Sequence, residues 1–492
     1  MNRQRTARRY RLILIALVLT ALLSGCTQLV GHSGETTTLT ILYTNDEHGW
    51  MAPTEDTGGA AGMLRRWREE EGYTPNGPFL VLGGGDIWTG PALSTWFDGE
   101  PMVEVLNVMG YHAVAVGNHE FDYGLEGLRE RAAEAEFAFL GANVTAEGAP
   151  VNPILPYVIE TVAGPDGEPG LQVGIIGLAS QRTPRTTMPT HVAGIDFEDY
   201  AATLARTAPE VREAGADVLV VVSHLCGPEL QALVPVAADL DIAMMGGGHC
   251  HRRVERIEEG VALVEANWRM EAYARVDLTV DSDTGEVRDV AVAVKPNPPG
   301  PGDAEVEAVV ARWEGELSEV LFIPIGYTEN GVRRGSNAMM NMVTDAWLAG
   351  YPADIAMSNP GGFRQDIDAG EITLADVVGV LPFDNTLVDV ALTGEQVILS
   401  YQHGQRRPAV GGMVREGTRY LIDGEPIDPD AVYHVLVNDF MYAGGDGYAF
   451  AEYDPDAYMT GIDWRQPVIE WISGLNTTPE NPLELYLDDT SR

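Results

Sequence analysis

The sequence predicts an α/β fold in its first half, followed by a separate second domain. Between residues 38 and 251, short runs rich in Val, Ile and Leu recur, and each ends abruptly in Gly, Asn, Asp or His. Helical segments such as Ala60–Glu71 and Tyr200–Ala214 lie between several of these runs, and this alternation is typical of α/β domains. The stretch Lys295–Gly302 contains four prolines and two glycines, which break regular structure and mark a boundary.

The chain begins with an export signal. An arginine-rich stretch, Met1–Arg11, precedes the apolar run Leu12–Leu23, which has the length of a signal-peptide core and is too short to span a bilayer. Leu23-Ser24-Gly25-Cys26 resembles the lipobox of secreted lipoproteins, in which the cysteine is lipidated. We expect a signal peptide over 1–25, a tether over 26–36, and an extracytoplasmic lipoprotein at the cell surface or in the periplasm. A plain signal peptide with an incidental Cys26 is the alternative.

Each of five predicted strands runs directly into a polar cluster. The strands are Thr38–Tyr43, Phe79–Leu82, Ala113–Val116, Asp217–Val222 and Ile242–Met245. The clusters that follow them are Thr44–Gly49, Gly83–Asp86, Gly117–Asp122, Ser223–His224 and Gly246–His251. Short runs of branched residues between breakers are typical of buried strands. Because polar groups at the carboxyl ends of such strands converge on one ligand site, we expect the five clusters to meet.

The composition of these clusters indicates a metal site. They contain five of the chain's 10 histidines, three aspartates and two asparagines, and the candidate ligands and catalytic residues among them are His48, His119, His224, His249, His251, Asp46, Asp86, Asp122 and Asn118. One such histidine alone would more often be a structural residue. Burying the whole set without a compensating charge would be very costly, and metal ions supply that charge. Nitrogen and carboxylate ligands without a set of thiolates favour Zn, Mn or Co, and their number predicts two divalent ions bridged by one carboxylate.

In order and spacing, the five clusters resemble the metal-site motifs of the calcineurin-like metallophosphoesterases, specifically the 5′-nucleotidase and UDP-sugar hydrolase branch. The resemblance implies a four-layer α/β/β/α catalytic domain over 37–295. A linker and connecting helix over 296–320 would lead to a smaller α/β nucleotide-binding domain over 321–492.

The resemblance also implies roles for the clustered residues. One divalent ion would have the ligands Asp46, His48, Asp86 and His251. The second would share Asp86 as a bridge and add Asn118, His224 and His249. His119, oriented by Asp122, would be the catalytic histidine beside the scissile phosphate. Metal-held hydroxide would attack the phosphorus in line, without a phosphoenzyme.

Two cysteines depart from the family's pattern. Cys226 follows Ser223-His224, where a small residue is more usual, and Cys250 separates two of the implied ligands. Two cysteines in a chain of this length do not make a disulfide scaffold. Either thiol could bind a metal, but we expect both to be passive neighbours of the site.

The connector is predicted to be an amphipathic helix. Apolar residues fall at helical spacing at Val306, Val309, Val310, Trp313, Leu317 and Val320, and this stripe indicates packing against a domain. Because substrate groups would come from both domains, productive binding implies that the domains approach each other, with the connector as hinge.

The second half contains three loops that combine glycine with aromatic and polar residues: Asn359–Arg364, Leu381–Asn385 and Asn438–Tyr448. On the residues alone, core packing is the default for Phe383 and Phe440. The resemblance implies instead that the two rings sandwich a nucleobase. It further implies that base, ribose or phosphate are bound by Asn359, Arg364 and Asp446. Arg333 would be a second phosphate-contacting arginine, although the segment Arg333–Ser336 departs from the usual pattern.

The charge balance excludes one class of partner. The chain has 31 basic and 73 acidic residues, a net charge of −42. All five basic residues of the export signal precede Cys26, so cleavage would leave 26 against 73, or −47. This field repels nucleic-acid backbones and argues against duplex binding. With Lys295 as the one lysine, such acidity favours adaptation to high salt, and an ordinary acidic secreted protein is the alternative.

Together these features predict a secreted, lipid-anchored nucleotide phosphohydrolase that releases nucleoside and phosphate. A UDP-sugar hydrolase, a 2′,3′-cyclic-nucleotide hydrolase and, less expected, a thiosulfohydrolase are alternatives within the superfamily. A non-catalytic binding lipoprotein is the third class, and the complete metal set with His119 and Asp122 argues against it. We expect a nucleotide substrate and membrane contact only through the lipid. Protein partners are not indicated.

Overall fold

The computed structural model describes residues 36–163, 170–282, 284–403 and 407–492. The predicted signal peptide, Cys26 and nearly all of the predicted tether lie outside these ranges. Among the helices that are described, none is long and apolar enough to cross a membrane.

The first half is built on two six-stranded sheets. Its strands are β1 (Thr36–Thr44), β2 (Phe79–Gly83), β3 (Ala113–Ala115), β4 (Ala138–Leu140), β5 (Val144–Ala146), β6 (Ala149–Pro150), β7 (Tyr157–Val162), β8 (Leu171–Leu178), β9 (Asp196–Phe197), β10 (Val218–Ser223), β11 (Ile242–Gly246), β12 (Arg253–Glu258), β13 (Val261–Ala266), β14 (Ala272–Asp281) and β15 (Val287–Pro296). The first sheet has the order β15-β14-β1-β2-β3-β4 and the second β12-β13-β11-β10-β8-β7. The five strands predicted from the sequence are β1, β2, β3, β10 and β11.

Helices cover the outer face of each sheet. They are α1 (Gly59–Glu70), α2 (Ala92–Thr95), α3 (Glu100–Met109), α4 (Gly124–Glu134), α5 (Thr183–Thr186), α6 (Tyr200–Glu213) and α7 (Gly227–Asp239). Alternation along β1 directs Ile41 and Tyr43 into the core between the sheets and Leu42 towards α1 and α3. On the second sheet, Leu219 and Val221 of β10 pack towards α6 and α7. The predicted four-layer α/β/β/α fold is therefore confirmed.

The connecting helix, α8 (Ala304–Leu321), packs on the first half. The side chain of Asp303 caps it by accepting a hydrogen bond from the backbone N–H of Glu305. Its buried face consists of Val306, Val310, Trp313, Leu317 and Leu321. The inclusion of Val320 in the apolar stripe was wrong, because Leu321 continues the helical spacing and Val320 is 44% exposed.

The second half is a smaller α/β unit. Its strands are β16 (Pro324–Thr328), β17 (Ile355–Ser358), β18 (Gly370–Thr373), β19 (Thr386–Thr393), β20 (Ala409–Gly411), β21 (Met413–Glu416), β22 (Arg419–Ile422), β23 (Glu425–Pro426), β24 (Val432–Asn438) and β25 (Tyr458–Asp463). Its helices are α9 (Asn337–Gly350), α10 (Leu374–Val380), α11 (Gly394–Gln402), α12 (Asp439–Tyr442), α13 (Phe450–Tyr453) and α14 (Gln466–Leu475). The main sheet has the order β20-β17-β24-β19-β25, with α9 and α14 on one face and α11 on the other.

The main sheet of the second half places three polar loops at one edge. Strands β17 and β24 are parallel neighbours, so Asn359 and Phe440 follow adjacent carboxyl ends. Strand β19 is antiparallel to β24, which brings Phe383, just before β19, to the same edge. All three residues line a cavity that faces the first half.

Candidate metal and substrate site

The polar clusters of the first half meet at the carboxyl edges of their strands. Three groups of candidate ligands form there: Asp46, His48 and His251; His48, Asp86 and His119; and Asp86, His224 and His249. Within each group the ligand atoms lie within 4.8 Å of one another. The groups overlap at His48 and Asp86, so the cluster is continuous and has room for more than one ion.

The geometry of the donor atoms fits metal ions. Nε2 of His48 and Nε2 of His251 lie 3.2 Å apart, as do Nε2 of His224 and Nδ1 of His249. Oδ2 of Asp86 lies 3.0 Å from Nε2 of His224. Paired imidazole nitrogens beside a carboxylate, all buried or nearly so, form a donor set typical of Zn or Mn.

The carboxylates of the cluster also favour positive charge at this position. Burial lowers the pKa of His224, but Asp86 and Asp46 outweigh it and raise that pKa to about 10. Burial, followed by repulsion from His224, lowers the pKa of His249 to about 4. The carboxylates therefore stabilise positive charge at this point, while His249 keeps a free lone pair to donate to a metal.

Asn118 presents an acceptor that has no hydrogen-bond partner among the described residues. Its Nδ2 donates to the carbonyl of Thr186 over 3.1 Å. Its Oδ1 is buried and accepts no hydrogen bond from the described residues. An unsatisfied buried acceptor is costly, and a metal ion beside it would remove that cost.

The candidate ligands occupy a strained backbone. Asp46, His48, Asp86, His249 and His251 all have positive φ, between 48° and 69°. For residues other than glycine, such conformations cost about 1–3 kcal/mol each and persist only where the surroundings impose them. The ligand loops impose them on one another, since His48 N–H donates to the Asp86 carbonyl and His249 N–H donates to the Asp46 carboxylate.

Glu120 holds the loops that follow β2 and β3 through hydrogen bonds to their backbone. Its carboxylate accepts hydrogen bonds from the backbone N–H groups of Asp86, Ile87 and Gly117. Gly117 must lack a side chain, because a Cβ there would lie 2.3 Å from Oδ1 of Asp86. Glu120 had no role in the sequence-based prediction, and its position beside His119 was the only signal for one.

His119 and Asp122 form the predicted pair. Nδ1 of His119 lies 2.6 Å from Oδ2 of Asp122, and the hydroxyl of Thr187 donates to the other oxygen of that carboxylate over 3.2 Å. Burial lowers the pKa of His119, but Asp122 and Asp86 prevail and raise it above its usual value. The imidazole is thus held in one orientation and favours its protonated form.

Cys226 and Cys250 form a disulfide, with their Cα atoms 5.2 Å apart, so the expectation of two passive thiols was wrong. Strands β10 and β11 are parallel neighbours, and each cysteine follows its own strand by three or four residues. The similar offset beyond two predicted strands was the available signal, but the sequence did not show that these two strands are neighbours. The bond joins the loop of His224 directly to the loop of His249 and His251.

A cavity of about 850 Å³ lies between the two halves of the chain. Its walls include, from the first half, Asn118, His119 and Asp122, and, from the second half, Asn359, Arg364, Phe383, Phe440 and Asp446. The candidate metal residues His48, Asp86, His249 and His251 also line it. Residues predicted from separate motifs in both halves therefore share one space.

The second-half wall combines two rings with a hydrogen-bonded polar pair. Phe383 stacks nearly parallel to His119, with ring centroids 5.6 Å apart and an interplanar angle of 18°. Phe440 lies half-buried against Gly445, where a Cβ would come within 2.3 Å of the ring. Nδ2 of Asn359 donates to the carboxylate of Asp446 over 3.0 Å.

The structure distinguishes the candidate arginines. Arg364 lines the cavity, and its Nη2 lies 3.1 Å from Nδ1 of His48. Arg333 is exposed and lies outside the lining residues, so the structure does not bring it to the site. Its neighbour Arg334 also lies outside the lining residues, and its Nε donates to the carbonyl of Phe363, next to Arg364, over 2.7 Å.

Comparison with known proteins covers both halves. The family model described as 5′-nucleotidase, C-terminal domain matches residues 315–399 and 399–452. A 5′-nucleotidase of Vibrio cholerae is 28% identical over 525 residues, covering 91% of this chain and 93% of that protein. Protein UshA of Salmonella pullorum is 27% identical and covers 88% and 90% respectively. The crystal structure of a 5′-nucleotidase precursor from Thermus thermophilus shares the fold, with a TM-score of 0.75 at 24% identity over 90% of this chain and 97% of that one.

Fold and site together define a two-domain metal-dependent phosphoric ester hydrolase. The second half matches the 5′-nucleotidase C-terminal domain model, and the chain as a whole is similar to 5′-nucleotidases and UshA along most of its length. The resemblance found in the sequence is therefore confirmed at the level of the family.

Replacing both cysteines, Cys226→Ser with Cys250→Ser, tests whether the disulfide supports the site. A bond closing a loop of this size contributes about 3 kcal/mol to the free energy of unfolding. We expect a lower melting temperature and weaker binding of Mn or Zn, because the loops of His224 and His249 lose their link. Competition with a fluorescent chelator measures the affinity. Unchanged metal affinity in the double variant would show that the bond has no part in the site.

Proposed function

We propose that this protein is a dinuclear-metal nucleotide phosphohydrolase of the 5′-nucleotidase type, which releases nucleoside and inorganic phosphate. One observation carries the proposal. The same cavity has the candidate metal ligands and the His119–Asp122 pair on one wall, and two aromatic rings with a polar pair on the other. The first wall suits a phosphoryl group and the second suits a nucleoside.

The second wall supports recognition of the nucleoside. A base between Phe383 and Phe440 would gain about 1–3 kcal/mol from stacking, with little dependence on base identity. The Asp446 carboxylate, oriented by Asn359, can accept hydrogen bonds from the ribose hydroxyls. The Arg364 guanidinium offers paired N–H donors to phosphate oxygens beside the ligand cluster. This arrangement favours a nucleotide over a thiosulfate-bearing substrate.

The residues of the first wall have distinct tasks in hydrolysis. Divalent ions held by Asp46, His48, Asp86, Asn118, His224, His249 and His251 would lower the pKa of a bound water towards neutrality and polarise the phosphoryl group. Protonated His119 donates from Nε2 to oxygens on which negative charge builds, while Asp122 holds its Nδ1–H. From the second wall, Arg364 binds the phosphoryl oxygens and holds the phosphorus in position for attack.

Phosphate release from AMP and p-nitrophenol release from bis-p-nitrophenyl phosphate test this division of tasks. His119→Ala should retain its metal but lose about 100-fold or more in turnover on both substrates, as expected for a general acid or charge stabiliser.

Phe440→Ala should raise KM for AMP by about 5- to 150-fold, the equivalent of a lost stacking interaction, and should leave the substrate without a base nearly unaffected.

Phe322→Ala is the matched control, since this ring is 53% exposed and lies outside the cavity. It should leave both activities unchanged. Phe440 is the better probe of the base site than Phe383, because Phe383 also stacks on His119. A Phe440→Ala protein with equal losses on both substrates and a lowered melting temperature would show that the ring is only a core residue.

We also propose that the protein is exported and held at the membrane by lipid on Cys26. The lipobox supports the anchor. The Cys226–Cys250 disulfide supports the location, because such bonds persist mainly in oxidising compartments outside the cytoplasm. Cys26→Ser should move the protein from the membrane fraction to the soluble fraction of cells. Continued membrane association of this variant would contradict the lipid anchor.

High-salt adaptation is the remaining proposal, supported by the −47 balance of the chain after Cys26. At low ionic strength this charge repels itself and destabilises the compact state, and salt screens that repulsion. We expect the melting temperature and the activity to rise between about 0.1 M and 1 M NaCl, where the Debye length falls from about 10 to 3 Å. A flat or falling melting curve would contradict the adaptation without affecting the proposed reaction.

A further inference from the structure

The turn between β13 and β14 lies where the two halves of the chain meet. Three of its residues have positive φ although none is glycine: Asn267 at 71°, Arg269 at 53° and Met270 at 58°. Strained backbone of this kind is held only by strong surrounding contacts, and it concentrates at functional sites. No motif in the sequence pointed to this turn.

On the side of the first half, the turn supports two candidate metal ligands. The backbone N–H of Arg269 donates to the carbonyl of Asp46 over 2.8 Å. The indole of Trp268 stacks on the imidazole of His251, with centroids 4.6 Å apart and an interplanar angle of 23°. The position of this turn is therefore tied to the ligand cluster.

On its other side, the turn contacts the second half through the side chain of Arg269. The guanidinium of Arg269 lies between two indoles, 4.4 Å from the ring of Trp50 and 3.9 Å from that of Trp268. From there its Nη2 donates to the carbonyl of Arg364 over 2.6 Å. A guanidinium packed between two rings loses little further freedom when it forms this bond.

A second arginine holds the adjacent peptide group. Nε of Arg334 donates to the carbonyl of Phe363, while Arg269 binds the carbonyl of Arg364. Two consecutive carbonyls are thus fixed by two guanidinium groups from different halves of the chain. The backbone of Arg364 is set from outside its own loop, and its side chain extends to His48 in the cavity.

The charges of this arrangement favour an anion. Three guanidinium groups lie close together here. Arg269 donates to the carbonyl of Arg364, and Arg269 and Arg334 both lie over the ring of Trp268, at 3.9 and 5.4 Å. Clustered positive groups in a partly buried site are stabilised when a negatively charged group binds near them.

We propose that Arg269, clamped between Trp50 and Trp268, is a positioning residue that holds Arg364 against the metal cluster and so couples contact between the two domains to binding of the phosphoryl group. This inference rests on the proposed phosphohydrolase function. Arg269 does not line the cavity and is not assigned a contact with substrate.

Arg269→Gly tests the proposal with little risk to folding, because glycine adopts a φ of 53° without strain. We expect KM for AMP and the inhibition constant of inorganic phosphate to rise by about 10-fold each, the loss of one charged hydrogen bond. Metal content should stay unchanged. Millimolar guanidinium chloride should restore part of the lost phosphate affinity by occupying the space between the two indoles, and equal NaCl should not.

Two further variants show whether the effect passes through Arg364. In an Arg364→Ala background, adding Arg269→Gly should change KM little, because residues that act through one another give non-additive effects. Arg312→Ala is the matched control. Arg312 also lies over an indole, that of Trp313 at 4.5 Å, and pairs with Glu104 and Glu316 on the outside of the connector. It should leave KM unchanged.

Unchanged phosphate inhibition and KM in Arg269→Gly would overturn the inference. So would loss of bound metal in that variant, which would place its role at Asp46, or full additivity with Arg364→Ala. Absence of nucleotide hydrolysis by the wild-type protein would instead refute the proposed function. The role of Arg269 in binding phosphate would then be tested by the rise in melting temperature that inorganic phosphate produces in the metal-loaded wild type and in the metal-loaded variant. An equal rise in both proteins would overturn the inference.

Discussion

The position of Asp86 is the constraint on which the site depends. Its Oδ2 lies 3.0 Å from Nε2 of His224 and 4.0 Å from Nε2 of His48, and Asp86 is a member of two of the three overlapping groups of candidate ligands. Its Oδ1 accepts the backbone N–H of His119, and its own backbone binds Glu120 and His48. Burial opposes its negative charge, yet His224 and His119 keep its pKa well below the usual value. One carboxylate thus connects loops from β1, β2, β3 and β10.

A site of this kind is held by its surroundings as well as by its own contacts. Its carboxylates are buried and the backbone of most ligands is left-handed, so the apo cluster taken alone is unfavourable. Three features outside the ligand set oppose that cost: Glu120 below the loops, the disulfide across β10 and β11, and the Trp268–Arg269 turn towards the second half. In the proposed function, the second half would supply what the first half lacks, namely flat rings for a base and a guanidinium for phosphate.

Local pattern was enough to predict the alternating strands and helices of the first half and the convergence of its polar clusters, whereas the four-layer architecture was implied by the family resemblance. Runs such as those of β1 and β10 must be buried strands, and polar residues directly beyond them must meet at one edge of a sheet. The disulfide was missed because pairing depends on which loops adjoin, and chain spacing does not show that. Arg333 was favoured over Arg334, and Trp268 with Arg269 was overlooked, because their positions depend on how the two halves dock. The left-handed backbone of the ligands themselves was also unforeseen, because the sequence pattern does not show the backbone conformation of individual Asp and His residues.

Anomalous X-ray scattering at the metal absorption edge, from crystals of the metal-loaded protein, tests the central claim most directly. The account predicts two peaks per chain about 3.5–4 Å apart, as in other two-metal hydrolases, with Asp86 between them. A single peak at full loading, or peaks that do not share Asp86, would contradict it.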